Sequence, residues 1–456
     1  MKFKFDWFMK GMLVAVALAF LWPAPGAQGG FLQPELLNKA GIALVFFLTG
    51  LGLPLAGMAW AWPTGLSAWR SASILSAWAG CGALLASLVL MVRDPRLAAV
   101  LGGLDSLYRW HHRSGTVGYC LLLIHPLALA TDGLDESPQV AWQTLSPLAQ
   151  DWPEWLGWLG LLLLMAGLAS TFMPRLPYRR WRALHYLLGL GVLLGLAHLW
   201  AILGGSLGVL GAIGIALAAL GWRLVVSDFG ALARPYRVSA VRHPATDLVE
   251  VTLAPCAAAL AATPGQFVLA AFGDGEGFHG CREFHPFTVS GIGPGGVLKL
   301  DIKALGPCTR HLQHLTPGVT LRLEGPFGDF LAAAGDGPQL WLAGGIGIAP
   351  FLAVLRSRLP TRPTHLIHLF RHADDAGFTD ELQALAAGSP NLSFVPVASG
   401  DSPPDLGPLL AAVPGLAGRE AWLCGPPGLN AAASRALRQA GVPAEAIHFE
   451  SFEFRS

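Results

Sequence analysis

Apolar runs long enough to cross a bilayer recur from about Trp7 to Val226, and none follows them. Read at about 1.5 Å per residue, they predict membrane spans near 8–24, 39–61, 73–92, 114–131, 155–173, 183–203 and 207–226. From Arg234 the pattern changes to short alternating segments: YRVSAVRHPATDLVEVTLAP, PGQFVLAAF, FHPFTVSG, VLKLDIKALG and TLRLEGPFG. Their period of two, broken by glycine and proline, predicts a small antiparallel β-barrel. Beyond Pro338 the order becomes strand, glycine-rich turn and helix, as in QLWLAGGIGIAPFLAVLRSRL, which predicts a doubly wound α/β domain. The expected chain is multi-domain: an N-terminal hydrophobic segment (1–38), a transmembrane bundle with a six-helix core (39–228), a β-barrel domain (232–335) and an α/β nucleotide-binding domain (336–456).

Composition agrees with this division. Over 456 residues, 53% hydrophobic content and a mean hydropathy of +0.51 are too apolar for an ordinary soluble protein. A net charge of +1 without a basic stripe excludes a nucleic-acid partner and leaves membrane lipid as the expected surroundings. The six cysteines form no CxxC or cluster-type run, so an iron-sulfur domain is not expected and nothing demands disulfides.

Charge placement sets an orientation. Arg93, Arg96, Arg109 and Arg113 lie in one connector and Arg175, Arg179, Arg180 and Arg182 in another. Between Ser114 and Pro174 there is no lysine or arginine, while Asp132, Asp135, Glu136, Asp151 and Glu154 fill the loop. The positive-inside rule puts both arginine connectors in the cytoplasm and the acidic loop outside. The C-terminal domains are then cytoplasmic, and the expected location is a bacterial inner membrane. MKFKFDWFMK resists this scheme, because seven spans with a cytoplasmic C-terminus would leave its lysines outside; an anchor or an interfacial helix is favoured there.

Four histidines stand in the apolar half as two pairs, His112 with His125 and His185 with His198, each thirteen residues apart. On parallel helices they would meet at two depths, roughly 20 Å apart. Imidazole is an axial ligand of haem iron, and ionisable groups within a membrane mark function by default. Thirteen residues leave the two rings of a pair more than a hundred degrees apart around an ideal helix, so a bend or tilt is required. His111 adjoins His112 and stands fourteen residues from His125.

The soluble half carries motifs in a telling order: His285-Pro286-Phe287-Thr288, then Lys303, Gly306 and Thr309 in KALGPCT, then Gly344-Gly345-Ile346-Gly347-Ile348-Ala349-Pro350, then Cys424-Gly425-Pro426 and Glu450-Ser451-Phe452. Over about residues 40–456 the chain resembles the ferredoxin-NADP reductase superfamily in the branch fused to a ferric-reductase-like membrane domain, which includes ferric reductases and NADPH oxidases. The resemblance implies FAD on the HPFT and KALGPCT segments, with the Phe287 ring on the flavin and the Thr288 hydroxyl at its edge. It implies NAD(P)H pyrophosphate at the glycine-rich turn, where backbone N–H groups can approach it. Cys424 would approach the nicotinamide, and Phe452 would cover the flavin, with Phe454 a competitor. The His112-Arg113 pair fits the family pattern better than His111. Arg371, with no acidic residue directly after its strand, favours NADPH and leaves NADH open.

The implied activity is that of a transmembrane flavocytochrome. Electrons would pass from cytoplasmic NAD(P)H through FAD and two b-type haems to a ferric chelate, dioxygen or a quinone at the outer face. The alternatives are a membrane-anchored reductase serving a cytoplasmic carrier, and a haem-binding sensor without turnover.

Overall fold

The computed structural model describes residues 65–171, 173, 176–332 and 334–450. The first two expected spans, the N-terminal segment and Phe452 lie outside the described residues. The chain divides into two compact units between Ser227 and Asp228.

Among the described residues of the first unit five helices are long and apolar enough to cross a membrane: α1 (Ala68–Leu90), α2 (Leu104–Gly133), α3 (Trp152–Thr171), α4 (Tyr178–Leu203) and α5 (Leu207–Trp222), the last continuing in a widened turn to Asp228. Ser67 and Ser206 cap α1 and α5 by accepting backbone N–H bonds. Leu162, Leu210 and Leu217 are about half exposed, as lipid-facing side chains would be. Helix α2 begins ten residues before the expected span near 114–131, so the arginine-rich segment around His111 is itself helical.

Small residues set the helix crossings. A Cβ added to Gly118 of α2 would stand 3.0 Å from the Gly80 carbonyl oxygen of α1, and one on Gly191 of α4 would stand 2.9 Å from that of Gly160 on α3. Both crossings bring backbone against backbone, the arrangement that lets helices associate where no hydrophobic driving force separates them from lipid. Both pairs are antiparallel, since Ser73 and Ser87 of α1 meet His125 and His111 of α2, and Pro153 of α3 meets His198 of α4.

The second unit opens with a closed antiparallel barrel, β1 (Arg234–Ala245), β2 (Leu248–Pro255), β3 (Phe267–Phe272), β4 (His285–Ile292), β5 (Leu298–Lys303) and β6 (Thr320–Phe327), ordered β1-β2-β5-β4-β3-β6. Alternate residues such as Val238, Val251, Leu300 and Leu323 fill its core. A parallel sheet follows: β7 (Gln339–Gly344), β8 (Thr364–Phe370), β9 (Leu392–Ala398), β10 (Glu420–Cys424) and β11 (Ile447–Glu450), ordered β11-β10-β7-β8-β9. Short helix α6 (Pro307–His311) follows β5, α7 (Ala349–Ser357) follows β7, and α8 (Thr379–Ala387) precedes β9.

Two features of this unit have no counterpart in the sequence pattern. Cys281 and Cys308 form a disulfide. Glu250 and Asp301, opposite each other on β2 and β5, are both 3% exposed, and Arg356 of α7 lies 2.7 Å from Glu250 Oε2 and 2.6 Å from Glu381 Oε1 of α8. Burial beside Glu250 pushes the Asp301 carboxyl up to about 7. This cluster joins the barrel to the α/β layer.

Candidate functional site

The geometry of the membrane unit starts from the tautomer of its histidines. His111 Nδ1 lies 3.0 Å from the Ser87 carbonyl oxygen, and His125 Nδ1 lies 3.1 Å from that of Ser73. His198 Nδ1 lies 2.8 Å from the Pro153 carbonyl oxygen. The Ser87 and Ser73 hydroxyls also lie 2.8 Å from the Nδ1 atoms of His111 and His125, and since a carbonyl only accepts, the carbonyl contacts match the tautomer with the proton on Nδ1 and the Nε2 lone pair left for a metal. The Ser87 and Ser73 hydroxyls donate back to the carbonyls of His111 and His125, closing a paired contact across α1 and α2. His185 differs: its Nδ1 is buried without a hydrogen-bond partner, and its ring stacks on Trp181 at 4.8 Å.

Across helices the structure brings the His111 ring against His185. Their ring centroids are 6.0 Å apart, near the roughly 6 Å expected of two imidazoles each bonded at about 2 Å to one metal ion. His112, more exposed, lines the same cleft as these two rings. Fourteen residues make 3.9 turns, so His111 and His125 share a face to within about 40°, whereas thirteen would separate His112 from His125 by about 140°. Spacing alone does not decide, because His185 and His198 on α4 are also thirteen residues apart; the close approach of the His111 and His185 rings is what favours His111. His198 lies within electrostatic reach of His125, so α2 and α4 run parallel with one pair at each level.

His111 and His185 line a largely apolar cleft of about 960 Å3, open mouth included, walled by Leu84, Leu164, Leu188, Val192 and Leu220 and including Arg223. Apolar walls, two facing imidazoles and a cation among the lining suit a flat apolar cofactor that bears carboxylates.

In the soluble unit the candidate residues come from three places. On β4, Phe287 is 8% exposed and packs against Phe272 in the barrel core. Alternation turns Pro286 and Thr288 to the other face, where both stay half-buried, while the His285 ring keeps to the side of Phe287 at 6.5 Å between centroids. In KALGPCT, Thr309 Oγ1 accepts from the backbone N–H groups of Leu305 and Gly306, so it shapes its own turn. Lys303 leans instead toward the α/β layer, with Nζ 3.4 Å from Asp375 Oδ1, and lines a small cleft with Gly345 and His368.

The glycine-rich turn and the CGP segment, eighty residues apart in sequence, meet at the ends of neighbouring strands β7 and β10, where Ala343 pairs with Cys424. A Cβ on Gly347 would fall 2.0 Å from the Cys424 carbonyl oxygen, so only glycine lets the turn close. Gly344 and Gly425 approach each other in the same way, and Pro350 is buried at the start of α7. Gly345 takes φ +54, and its carbonyl accepts from His368 Nε2 at 3.0 Å. Burial lowers the His368 imidazole to about 4, so it stays neutral beneath the turn.

Cys424 is 2% exposed, and burial followed by the neighbouring Glu450 holds its thiol well above the ordinary range. Glu450 pairs with Cys424 across β10 and β11, and burial with Asp329 nearby pushes its carboxyl up to about 8. Motif reading had named Glu450 but not its contact with Cys424, and had not named His368, because both contacts depend on strand neighbours distant in sequence. Arg371 is exposed directly after β8.

Residues 76–196 match the family model described as the ferric reductase like transmembrane component, and residues 341–435 match the oxidoreductase NAD-binding domain. A further match, to the SBF-like CPA transporter family, covers residues 6–103, mostly outside the described residues. A flavohemoprotein of Pseudomonas putida is 31% identical over 234 residues, 48% of this chain and 59% of that protein. The ferredoxin--NAD(P)(+) reductase component of naphthalene 1,2-dioxygenase/salicylate 5-hydroxylase systems from Ralstonia sp. is 31% identical over 181 residues, 37% of this chain and 55% of that protein. The chain thus spans between half and three fifths of the length of these curated relatives. Among solved structures, the FAD/NAD-binding domain of nitric oxide dioxygenase from Vibrio cholerae aligns over 48% of this chain and 98% of its own, at 20% identity and a TM-score of 0.43. Flavohemoglobin from Malassezia yamatoensis aligns over 85% and 99%, at 17% identity and a TM-score of 0.45.

Proposed function

We propose that this chain, which joins a ferric-reductase-like transmembrane domain to an FAD- and NAD(P)H-binding oxidoreductase module, carries electrons from NAD(P)H through FAD and two b-type haems to an acceptor at the outer face of the membrane. Bound FAD would accept hydride and release electrons singly, and bound haems would relay them. The observation that carries the reading is the pair of imidazole levels on parallel helices, with three Nδ1 atoms held by backbone carbonyls and Nε2 left to ligate.

His111 with His185 would hold the inner iron, and His125 with His198 the outer one; His112, the residue expected there and part of the same cleft lining, is the competing ligand. With a pair of imidazoles at each level, these four side chains would hold haem for electron relay rather than for binding a small molecule. Arg223 among the cleft lining suits a haem propionate. His285, Pro286, Thr288, Lys303, Gly306 and Thr309 would bind FAD, while Gly344, Gly345, Gly347 and Pro350 shape the turn for the NAD(P)H pyrophosphate. Cys424, Gly425 and Pro426 would border the nicotinamide, with Phe452 as the flavin cover. Arg371 suits a 2′-phosphate and favours NADPH over NADH. The arginine asymmetry supports a bacterial inner membrane with cytoplasmic FAD and NAD(P)H domains.

The test is a reduced-minus-oxidised spectrum with haem quantitation on purified protein, then NADPH oxidation with ferric chelate, dioxygen and quinone compared in parallel. Haem-free protein defeats the proposal. NADPH-driven reduction of a soluble carrier that survives the His125→Ala/His198→Ala double variant, with no acceptor served at the outer face, supports the membrane-anchored reductase instead.

A further inference from the structure

Cys281, in the loop before β4, and Cys308, in α6, are 27 residues apart in sequence, and their Cα atoms are 6.3 Å apart. A ligand atom of His285, the first residue of β4, lies with both sulfurs inside a 4.8 Å group. His285 Nε2 is buried and has no hydrogen-bond partner, although Glu283 Oε2 lies 4.0 Å away. A buried imidazole nitrogen left without a partner beside two sulfurs is costly unless something takes its lone pair or its proton.

We propose that Cys281, Cys308 and His285 form a redox-gated site for a zinc-class divalent cation: closed as the disulfide, and open to the metal when the two sulfurs are reduced. Two thiolates and one imidazole are a borderline-soft donor set suited to Zn2+, with water in the fourth tetrahedral position. Opening requires a cellular small-molecule thiol. Its thiolate attacks one sulfur, the Cys281–Cys308 bond breaks, and a mixed disulfide forms; a second thiol releases the oxidised small molecule. Two electrons and two protons have then entered the cysteines. Zn2+ displaces those two protons to solvent as it binds.

His285 belongs both to this cluster and to the segment proposed to bind FAD, so an ion here would fix the first residue of the flavin-binding strand. The site itself needs neither haem nor NAD(P)H, and its failure would leave the electron-transfer reading untouched.

The test is equilibrium dialysis of the purified full-length protein against Zn2+, with elemental analysis of the retained metal. Protein reduced with a phosphine should retain about one more equivalent per chain than protein oxidised with diamide. The Cys281→Ser/Cys308→Ser double variant should lack that extra equivalent after reduction, and its remaining cysteines supply the background. Equal Zn2+ retention by reduced and oxidised wild-type protein overturns the proposal without reliance on any variant, as does a folded double variant that still shows the redox-dependent equivalent.

Discussion

The two units assemble their candidate sites by opposite means. In the membrane unit the candidate imidazoles ride on two long helices, and for three of the four a neighbouring helix contributes backbone: carbonyls of Ser73, Ser87 and Pro153, with bare glycines where the helices cross. In the soluble unit strands from remote stretches of chain end side by side, and buried charges and a neutral histidine fix the layers that carry them. Without water a helix satisfies its own backbone, leaving close contact as the main means of positioning; with water available outside, buried charge can be paired and used as a fastener.

The largest effect tests the membrane half of this contrast. His111→Ala should remove one of the two haems and abolish outer-face reduction, whereas His112→Ala should leave haem content unchanged; pyridine haemochrome quantitation on both variants decides. If His112→Ala loses the haem and His111→Ala keeps it, the side-by-side geometry of His111 and His185 is not the ligand pair.

Next in size is the fastener of the soluble half. Arg356→Met removes the cation that Glu250 shares with Glu381 and leaves only Arg242 and Lys299 on Glu250, and should cost at most about 3–5 kcal/mol in stability, read by chemical denaturation with flavin release. Gly191→Leu drives a side chain into the Gly160 carbonyl and should cost about 1–3 kcal/mol, seen as a lower melting temperature in detergent. A matching Gly118→Leu loss would confirm that both crossings work alike.

A milder effect depends on pH. The folded His368 titrates at about 4, below its unfolded value, so acidification protonates the unfolded chain first. Its contribution is intact above roughly pH 6.5 and declines at about 1.4 kcal/mol per unit toward pH 4. Asp301 and Glu450, raised to about 7 and about 8, act in the other direction, so the measurement is the difference between wild type and His368→Asn. The variant should lose less stability than wild type between pH 6.5 and 4.5. Smallest should be Ser87→Ala, which removes a hydroxyl but keeps the carbonyl that orients His111; haem should stay bound, with at most about 1 kcal/mol lost. Haem loss in this variant would place the orienting role on the hydroxyl.

Much of the architecture was legible because it is written in local periodicity. Runs of apolar residues marked five helices that the structure describes, period-two segments marked the barrel, and the switch at Pro338 marked the parallel sheet. Motif spacing likewise placed the HPFT and glycine-rich segments on a strand and a strand–helix turn. Choosing between His111 and His112 was harder: hydropathy does not distinguish adjacent histidines, although one residue rotates a side chain by about 100°.

By itself, then, the sequence determined which segments are helix or strand, where the membrane half ends, and which residue types are available for chemistry, since all of these depend on neighbours within a few turns. Tertiary structure alone decided that His111 faces His185, that Phe287 turns into the barrel, that Gly347 closes on Cys424, and that Cys281 reaches Cys308. Each of these is a contact between segments whose spacing along the chain carries no energy of its own; it exists only once packing has fixed helix rotation and strand order.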